Sequence, residues 1–178
     1  AISAYEVGFM LAPRLNAPGR IYDPQTSFRL LITEDEEEAQ ELAEILDAVN
    51  RERRRQTEKF LQEALKQIEK EKLHRHKIIL VQGEEWPAGL VGLIASKLKE
   101  MFCRPVFVFQ RGRKTSRGSA RSIDGFHLVE ALSFAQDLLV KGGGHAKAAG
   151  VEVENEKIKQ FYERLLKLAE KRLSEKDL

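Results

Sequence analysis

Apolar and polar residues follow different periodicities in different parts of the chain, and each change of period marks a boundary between predicted regions. Residues 1–32 show no sustained period and carry turn-forming residues at Pro13, Pro18, Gly19 and Pro24. Such residues predict an irregular, turn-rich stretch. The apolar run Phe28–Ile32 predicts a buried strand or a buried helix end. We expect this region to be the C-terminal end of a domain whose remainder lies outside the sequence.

Residues 33–75 are predicted to form one long helix. Thr33 and Glu36 have the spacing of a capping box, and neither Gly nor Pro occurs between residues 34 and 76. The segment Asn50–Gln56 contains no apolar residue, as expected of a connector helix between two domains that is solvated at its middle. On either side of it, apolar residues recur at helical spacing at Leu42, Ile45, Leu46, Val49, Phe60, Leu61, Ala64, Leu65 and Ile68.

Residues 76–178 have the pattern of an α/β domain. The continuous apolar runs Ile78–Val81 and Val106–Phe109 predict strands buried on both faces, and Pro87–Met101 predicts a helix between them. This order predicts a right-handed crossover between parallel strands. The predicted fold class is therefore α/β, with a mixed β-sheet flanked by helices and preceded by the long connector helix.

The rest of this region predicts two more strands and two more helices. Thr115–Arg121 alternates as a strand does, a short helix begins at Leu128, and residues 142–144 form a glycine-rich turn. Val151 and Val153 predict another strand, and Asn155 is a candidate cap for the last helix. The inner face of that helix is predicted at Ile158, Phe161, Tyr162, Leu165 and Ala169.

The composition is typical of a globular protein but does not indicate a function. The chain has 178 residues, of which 42% are hydrophobic and 33% charged, and its net charge of +2 is too small to indicate a nucleic-acid partner. The single Cys103 excludes an intrachain disulfide and favours a reducing cytoplasm. The sequence contains no stretch of about 18 apolar residues, so it predicts no membrane span. We expect a monomeric cytoplasmic protein without membrane contact, and its start at Ala1 suggests a piece of a longer protein.

The segment Gly142–Gly150 is the sharpest candidate for chemistry. Consecutive glycines let a backbone approach an anion closely, and a helix that begins at His145 or Ala146 would add its positive end. His145 could donate a hydrogen bond to a phosphate oxygen. The alternative is a flexible turn with an exposed histidine, but the small residues on both sides of His145 favour a phosphate site.

A second candidate is the stretch from Arg104 to Arg121, which contains six basic residues and no acidic one. A strand would place Thr115, Arg117, Ser119 and Arg121 on one face, where guanidinium and hydroxyl groups can bind phosphates. The alternative is an edge strand that its charges protect from aggregation. Composition alone leaves both open.

The remaining candidates favour structural roles. Pro13–Arg20 carries two arginines and could bind an anion, although its composition alone favours a solvated loop. Arg51–Arg55 is expected to be a solvated part of the helix, and Trp86 a packing residue. His74 and His76 are too isolated for metal ligands, and no cluster of Asp, His or Cys has the spacing of a metal site.

Together these segments resemble the RecJ branch of the DHH phosphoesterase superfamily. Five matching elements occur in the family's order and spacing between residues 11 and 150. They are Pro13–Arg20 (family pattern PRxNAAGR, with Pro18 for an alanine), Trp86–Ala95 (WHPGVIGIVA), Arg104–Val106 (RPV), Ser119–Ser122 with Gly125 and Phe126 (SxRS and GF), and Gly143–Gly150 (GGHxxAAG). The last element alone marks only the superfamily's accessory domain, called DHHA1. Pro87 replaces a family histidine, so no role of that histidine is carried over.

The resemblance implies a 5′→3′ exonuclease for single-stranded DNA in repair and recombination, which cleaves with Mn²⁺ or Mg²⁺. The family's metal-binding motifs are absent, so the metal ligands are expected on a missing DHH domain of the same polypeptide. The implied domains are the end of that DHH domain at 1–32, the connector at 33–75 and the DHHA1 domain at 76–178. This chain alone is expected to be inactive and to hold no metal.

The resemblance further implies that this chain supplies substrate binding. His145 is expected near the scissile or a neighbouring phosphate, in a supporting catalytic role. The implied phosphate-binding residues are Arg14, Asn16, Arg20, Arg117, Ser119, Arg121, Ser122, Gly143, Gly144 and His145. Two alternatives remain: a DHH phosphodiesterase for oligoribonucleotides or cyclic dinucleotides, and a non-catalytic module that binds nucleic acid or protein.

Overall fold

The computed structural model describes residues 2–178, which divide into two compact units. The N-terminal unit extends to Lys59, and the C-terminal unit is Phe60–Leu178. This division lies within the predicted connector helix and not at either of its ends. None of the helices that residues 2–178 form is both long and apolar enough to cross a membrane.

The N-terminal unit is helical where the sequence predicted turns. Pro13 and Pro18 lie in the first turns of their helices, and Pro24 immediately precedes another helix. Proline is tolerated there because its missing N–H has no acceptor within the first turn. The prediction of a turn-rich stretch was therefore wrong. The elements are α1 (Ala4–Glu6), a π-helical turn (Val7–Leu11), α2 (Ala12–Asn16), α3 (Pro18–Ile21) and α4 (Gln25–Ile32).

The apolar run in α4 is exposed, which corrects the prediction that it is buried. Phe28, Leu31 and Ile32 of α4 are 57%, 68% and 59% exposed. Tyr5 and Phe9 also lie largely in solvent and stack on each other. An apolar surface of this kind is typical of a region that another protein surface covers.

The long helix α5 (Glu36–Lys70) confirms the predicted long helix before the sheet, but a different residue caps it. The carboxylate of Asp35 accepts hydrogen bonds from the backbone N–H groups of Glu37 and Glu38, at 2.9 and 3.1 Å. The hydroxyl of Thr33, the predicted cap, bonds to the side chain of Glu38 instead. After α5, Lys72 adopts a left-handed conformation (φ 55°) and turns the chain towards the sheet.

A mixed five-stranded sheet forms the centre of the C-terminal unit, in the order β1-β2-β3-β5-β4. The strands are β1 (Ile79–Gly83), β2 (Val106–Arg111), β3 (Thr115–Arg121), β4 (Leu139–Gly144) and β5 (Ala148–Glu154). β1 and β2 are parallel and are joined through α6 (Ala88–Phe102), whereas the other pairs are antiparallel. The predicted strand–helix–strand unit and the mixed sheet are therefore confirmed.

The two faces of the sheet have different partners. One face packs against α7 (Leu128–Phe134) and α8 (Ile158–Arg172), and its core includes Phe107, Phe109 and Phe161, all fully buried. On the other face α6 packs on β2 and β3. Short 3₁₀ turns at Leu73–Arg75, Gln136–Leu138, Asn155–Lys157 and Glu175–Asp177 complete the unit.

The last helix has the predicted inner face but not the predicted cap. Ile158, Phe161, Leu165 and Ala169 are buried, and the partly buried Tyr162 donates a hydrogen bond to the Ile78 carbonyl at 2.7 Å. Burial raises the pKa of the Tyr162 phenol, so it stays protonated at neutral pH.

Asn155 stabilises the β2–β3 hairpin, which explains why it does not cap α8. Its side-chain oxygen accepts a hydrogen bond from the buried Ser116 hydroxyl at 2.7 Å. Its amide nitrogen donates to the Gly112 carbonyl at 2.8 Å. Both groups of the side chain are therefore committed to the hairpin, and the prediction of a helix cap was wrong.

Candidate phosphate-binding face of the sheet

The candidate site begins with Ser119 and Arg121 on β3, on the face that α6 partly covers. The Arg121 guanidinium donates to the Ser119 hydroxyl and to the Ala120 carbonyl, both at 2.9 Å. A methyl group on Gly92 of α6 would lie 3.2 Å from both Ser119 Oγ and Arg121 Nη2. Gly92 therefore leaves room for both side chains beside the helix, and the sheet fixes their direction.

Two glycines form an open surface beside this pair. Gly143 of β4 lies opposite Gly150 of β5, and Gly150 lies opposite Ser119 of β3. A side chain added at Gly143 or Gly150 would meet no atom within 4 Å. Glycine weakens a strand, and within strands it often marks a place where a ligand approaches the backbone. Neither packing nor a left-handed backbone requires glycine at these two positions.

The glycine-rich segment is a strand and not the predicted turn, so the proposed helix at His145 or Ala146 does not exist. Residues 145–147 connect β4 and β5, and the His145 N–H donates to the Ala148 carbonyl at 2.7 Å. The β4–β5 connection therefore offers no helix N-terminus to an anion. Gly144 requires its residue type, because its φ is +150° and a side chain would lie 2.4 Å from the Ala148 carbonyl. His145 is exposed at this connection.

Arg117 continues the same face of β3, and a carboxylate lies beside it. Glu152 Oε2 of β5 is 3.3 Å from Arg117 Nε, and Glu152 Oε1 accepts a hydrogen bond from the Thr115 hydroxyl at 2.7 Å. The hydrogen bond from Thr115 is the main reason that the pKa of Glu152 is lowered, and the charges of Arg117 and Lys141 add to it. Glu152 is therefore an ionised, fixed part of this face at neutral pH.

Ser122 does not join these side chains. It is 6% exposed, and its hydroxyl donates to the Phe126 carbonyl at 2.6 Å. Its backbone N–H donates to the Lys147 carbonyl at 3.0 Å. These bonds hold the segment after β3, so the predicted phosphate contact of Ser122 does not fit its position in the interior.

The predicted residues Arg14, Asn16 and Arg20 belong to the N-terminal unit and are described within it. Arg14 donates to Asp47 of α5 at 2.8 Å and to the Met10 carbonyl at 2.7 Å, so it connects helices of this unit. Asn16 and Arg20 are exposed. Arg20 lies near Arg53, whose pKa is lowered mainly by burial and further by the positive charges of its neighbours.

Trp86 has the packing role that its sequence context predicted, and His76 bonds within the C-terminal unit. Trp86 is 3% exposed and donates from its indole nitrogen to Glu63 at 2.8 Å. His76 bonds to the Tyr162 hydroxyl at 2.9 Å. Within residues 2–178, no group of three or more His, Cys, Asp or Glu side chains is placed to hold a metal ion.

Sequence reasoning missed Lys141 and Glu152, and it included Gly150 in a candidate segment without placing it on this face. The sequence did contain a signal for Lys141, because Lys141, Gly143 and His145 are spaced two residues apart, as residues on one face of a strand are. It was missed because consecutive glycines were interpreted as a turn, which gives no side-chain direction.

The fold and this face define the class of protein. Residues 75–175 match the family model described as the DHHA1 domain, so the chain belongs to the DHHA1 domain family. The mixed sheet contains the family's glycine–histidine element at the β4–β5 connection.

Among known proteins, the chain is similar to bacterial RecJ, which confirms the resemblance seen in its motifs. It is 41% identical to the single-stranded-DNA-specific exonuclease RecJ of Bacillus subtilis, over 96% of this chain and 22% of that protein. The protein of the same name in Salmonella typhimurium is 42% identical, over 92% of this chain and 30% of that protein. The structure of RecJ in complex with Mn²⁺ from Thermus thermophilus superposes with a TM-score of 0.88 at 34% identity. The match covers 97% of this chain and 25% of that one. The chain thus spans 22% to 30% of the length of these proteins.

Proposed function

We propose that this chain is the substrate-binding part of a RecJ-like exonuclease that degrades single-stranded DNA from its 5′ end during repair and recombination. The observation that carries the proposal is the pair Ser119 and Arg121 beside an open backbone surface at Gly143 and Gly150. A guanidinium and a hydroxyl bind phosphate oxygens well, and glycines let a sugar–phosphate chain approach the sheet. The similarity to RecJ supports the choice of single-stranded DNA.

The chemistry of cleavage is assigned to a part of the protein outside this chain. RecJ structures contain Mn²⁺ or Mg²⁺. The described residues offer no matching ligand set, so they do not fit such a metal site. In this proposal the chain binds and orients the backbone, and His145 is a proposed phosphate contact in a supporting role. Arg14, Asn16 and Arg20 are further proposed contacts.

The proposed organisation follows from the same similarity. Residues 1–32 would complete a DHH domain, 33–75 would connect the domains, and 76–178 would form the DHHA1 domain. The exposed side chains of Phe28, Leu31 and Ile32 support this, because a neighbouring domain would remove them from water. A monomeric, cytoplasmic protein without membrane contact is part of the proposal.

The test is fluorescence anisotropy of a 5′-phosphorylated single-stranded DNA titrated with this chain. Arg121→Ala should weaken binding by about 1.5–3 kcal/mol, because hydrogen bonds to a charged group would be lost. With three or four phosphate contacts, the affinity should fall with salt at a log–log slope of roughly −2 to −3.

Arg113→Ala is the matched control, since it removes the same charge from the exposed β2–β3 turn. It should change the affinity by less than about 0.5 kcal/mol, the value expected for a surface substitution. Equal effects of the two substitutions would show that the binding is general electrostatic attraction, and they would contradict the proposed site.

A further inference from the structure

A second charged group lies on the same face of the sheet as Ser119 and Arg121. Lys141 of β4 is opposite Glu152 of β5, and Glu152 is opposite Arg117 of β3. Residues that lie opposite each other in antiparallel strands project to the same side. The three side chains therefore form a row across three strands, in the order Lys141, Glu152, Arg117.

The electrostatics of this row favour an anion in spite of its carboxylate. Glu152 is 17% exposed and is held by Thr115 and Arg117, whereas the Arg117 side chain is 73% exposed. Lys141 is exposed, and its charge contributes to the lowered pKa of Glu152. The carboxylate thus neutralises one of two cations and contacts Arg117 through Nε. The Arg117 side chain nevertheless stays largely exposed and open to a ligand.

The register places this row at a defined distance from Arg121. Arg117 and Arg121 are four residues apart on β3, which corresponds to about 14 Å along an antiparallel strand. Gly143, Gly150 and Ser119 form the row between them. The open backbone surface therefore has cations at both ends, and a single phosphate at Arg121 is too far away to reach Lys141.

We propose that Lys141 and Arg117 form a second phosphate contact, so that the chain binds a length of single-stranded backbone and not only one phosphate at Arg121. This inference rests on the proposed function and deepens it, because it assigns a new binding residue, Lys141, and an extended ligand. Glu152 lies between these two cations in the row and positions Arg117 through its contact with Nε.

The experiment compares Lys141→Ala, Lys141→Arg and Lys159→Ala in anisotropy titrations with a 5′-phosphorylated dinucleotide and with a longer single-stranded DNA. Lys159 is an exposed lysine of α8, so Lys159→Ala controls for the loss of one charge. Lys141→Ala should weaken binding of the long DNA about fivefold, the effect of about 1 kcal/mol for an exposed ionic contact. It should also reduce the salt slope by about 0.7, the value for one phosphate contact on a single strand.

Comparison with Lys159→Ala and Arg121→Ala separates this inference from the proposed function. Lys141→Arg should retain the affinity, and the dinucleotide should bind equally well to the parent chain and to Lys141→Ala. If Lys141→Ala matches Lys159→Ala on the long DNA while Arg121→Ala still weakens binding, the second contact is wrong and the proposed function stands. If Arg121→Ala also has no effect, the proposed function itself fails.

Discussion

At the scale of single residues, the glycines of the sheet fall into two groups. A side chain at Gly118 would lie 2.7 Å from the Phe109 ring, so packing requires this glycine. At Gly143 and Gly150 a side chain would meet open space. Glycine costs a strand roughly 0.5–1 kcal/mol relative to alanine. Glycine at these two positions therefore lowers the stability of the strands, and no packing contact explains it. Such glycines are expected where a ligand occupies the space above the backbone.

Gly150→Ala should therefore separate stability from binding. We expect the free energy of unfolding to rise by about 0.5–1 kcal/mol, because the strand gains a better residue without a clash. Binding of single-stranded DNA should weaken by about 1–3 kcal/mol, the range for excess volume in a packed contact. Chemical denaturation and anisotropy titration measure the two effects.

Gly118→Ala is the control for the Gly150 substitution, because it should lower the stability through its clash with Phe109. A Gly150→Ala chain with unchanged DNA affinity would contradict a ligand that contacts this surface. A loss of stability at Gly150 would contradict the open space above it.

At the scale of elements, sequence patterns predicted the interior well and the connections poorly. The runs Ile78–Val81 and Val106–Phe109 became neighbouring parallel strands because continuous apolar runs have few alternatives to a buried strand. Pro13 and Pro18 were assigned to turns although they begin helices, since proline fits both. The segment 142–144 was assigned to a turn because pairing with β5 is a long-range effect that local composition does not show.

Asn155 shows how a wrong local assignment changes a stability prediction. A helix cap would contribute about 1 kcal/mol. Asn155→Ala in the observed structure leaves the buried Ser116 hydroxyl without its acceptor and frees the hairpin at Gly112. The expected loss of unfolding free energy is about 2–4 kcal/mol, since a buried unsatisfied group costs about 1–3 kcal/mol beyond the lost bonds.

A double-mutant cycle with Ser116→Ala distinguishes the two roles of Asn155. If Asn155 serves the hairpin, Asn155→Ala should cost much less in the Ser116→Ala background than in the parent chain. Additive losses in urea denaturation would support a role of Asn155 that is independent of Ser116.

At the scale of the whole molecule, the chain combines the face of the sheet that we propose binds phosphate with an apolar surface in its N-terminal unit. The face needs no other unit to form, because the pairing of β3, β4 and β5 fixes its side chains. The sequence predicted Ser119 and Arg121 correctly as neighbours on one face, since alternation along a strand is local. It could not show the open glycine surface or the row with Lys141, because both depend on the register of three strands.

Binding without cleavage is therefore the expected behaviour of the isolated chain. With Mn²⁺ or Mg²⁺ added, it should bind 5′-labelled single-stranded DNA and release no nucleotides, because the described residues hold no cluster of metal ligands. Gel analysis of the labelled DNA measures this, with full-length RecJ of Bacillus subtilis as the positive control. Release of nucleotides by the parent chain, with loss of that activity in Arg121→Ala, would place a catalytic centre within these 178 residues. The assignment of cleavage to another part of the protein would then be wrong.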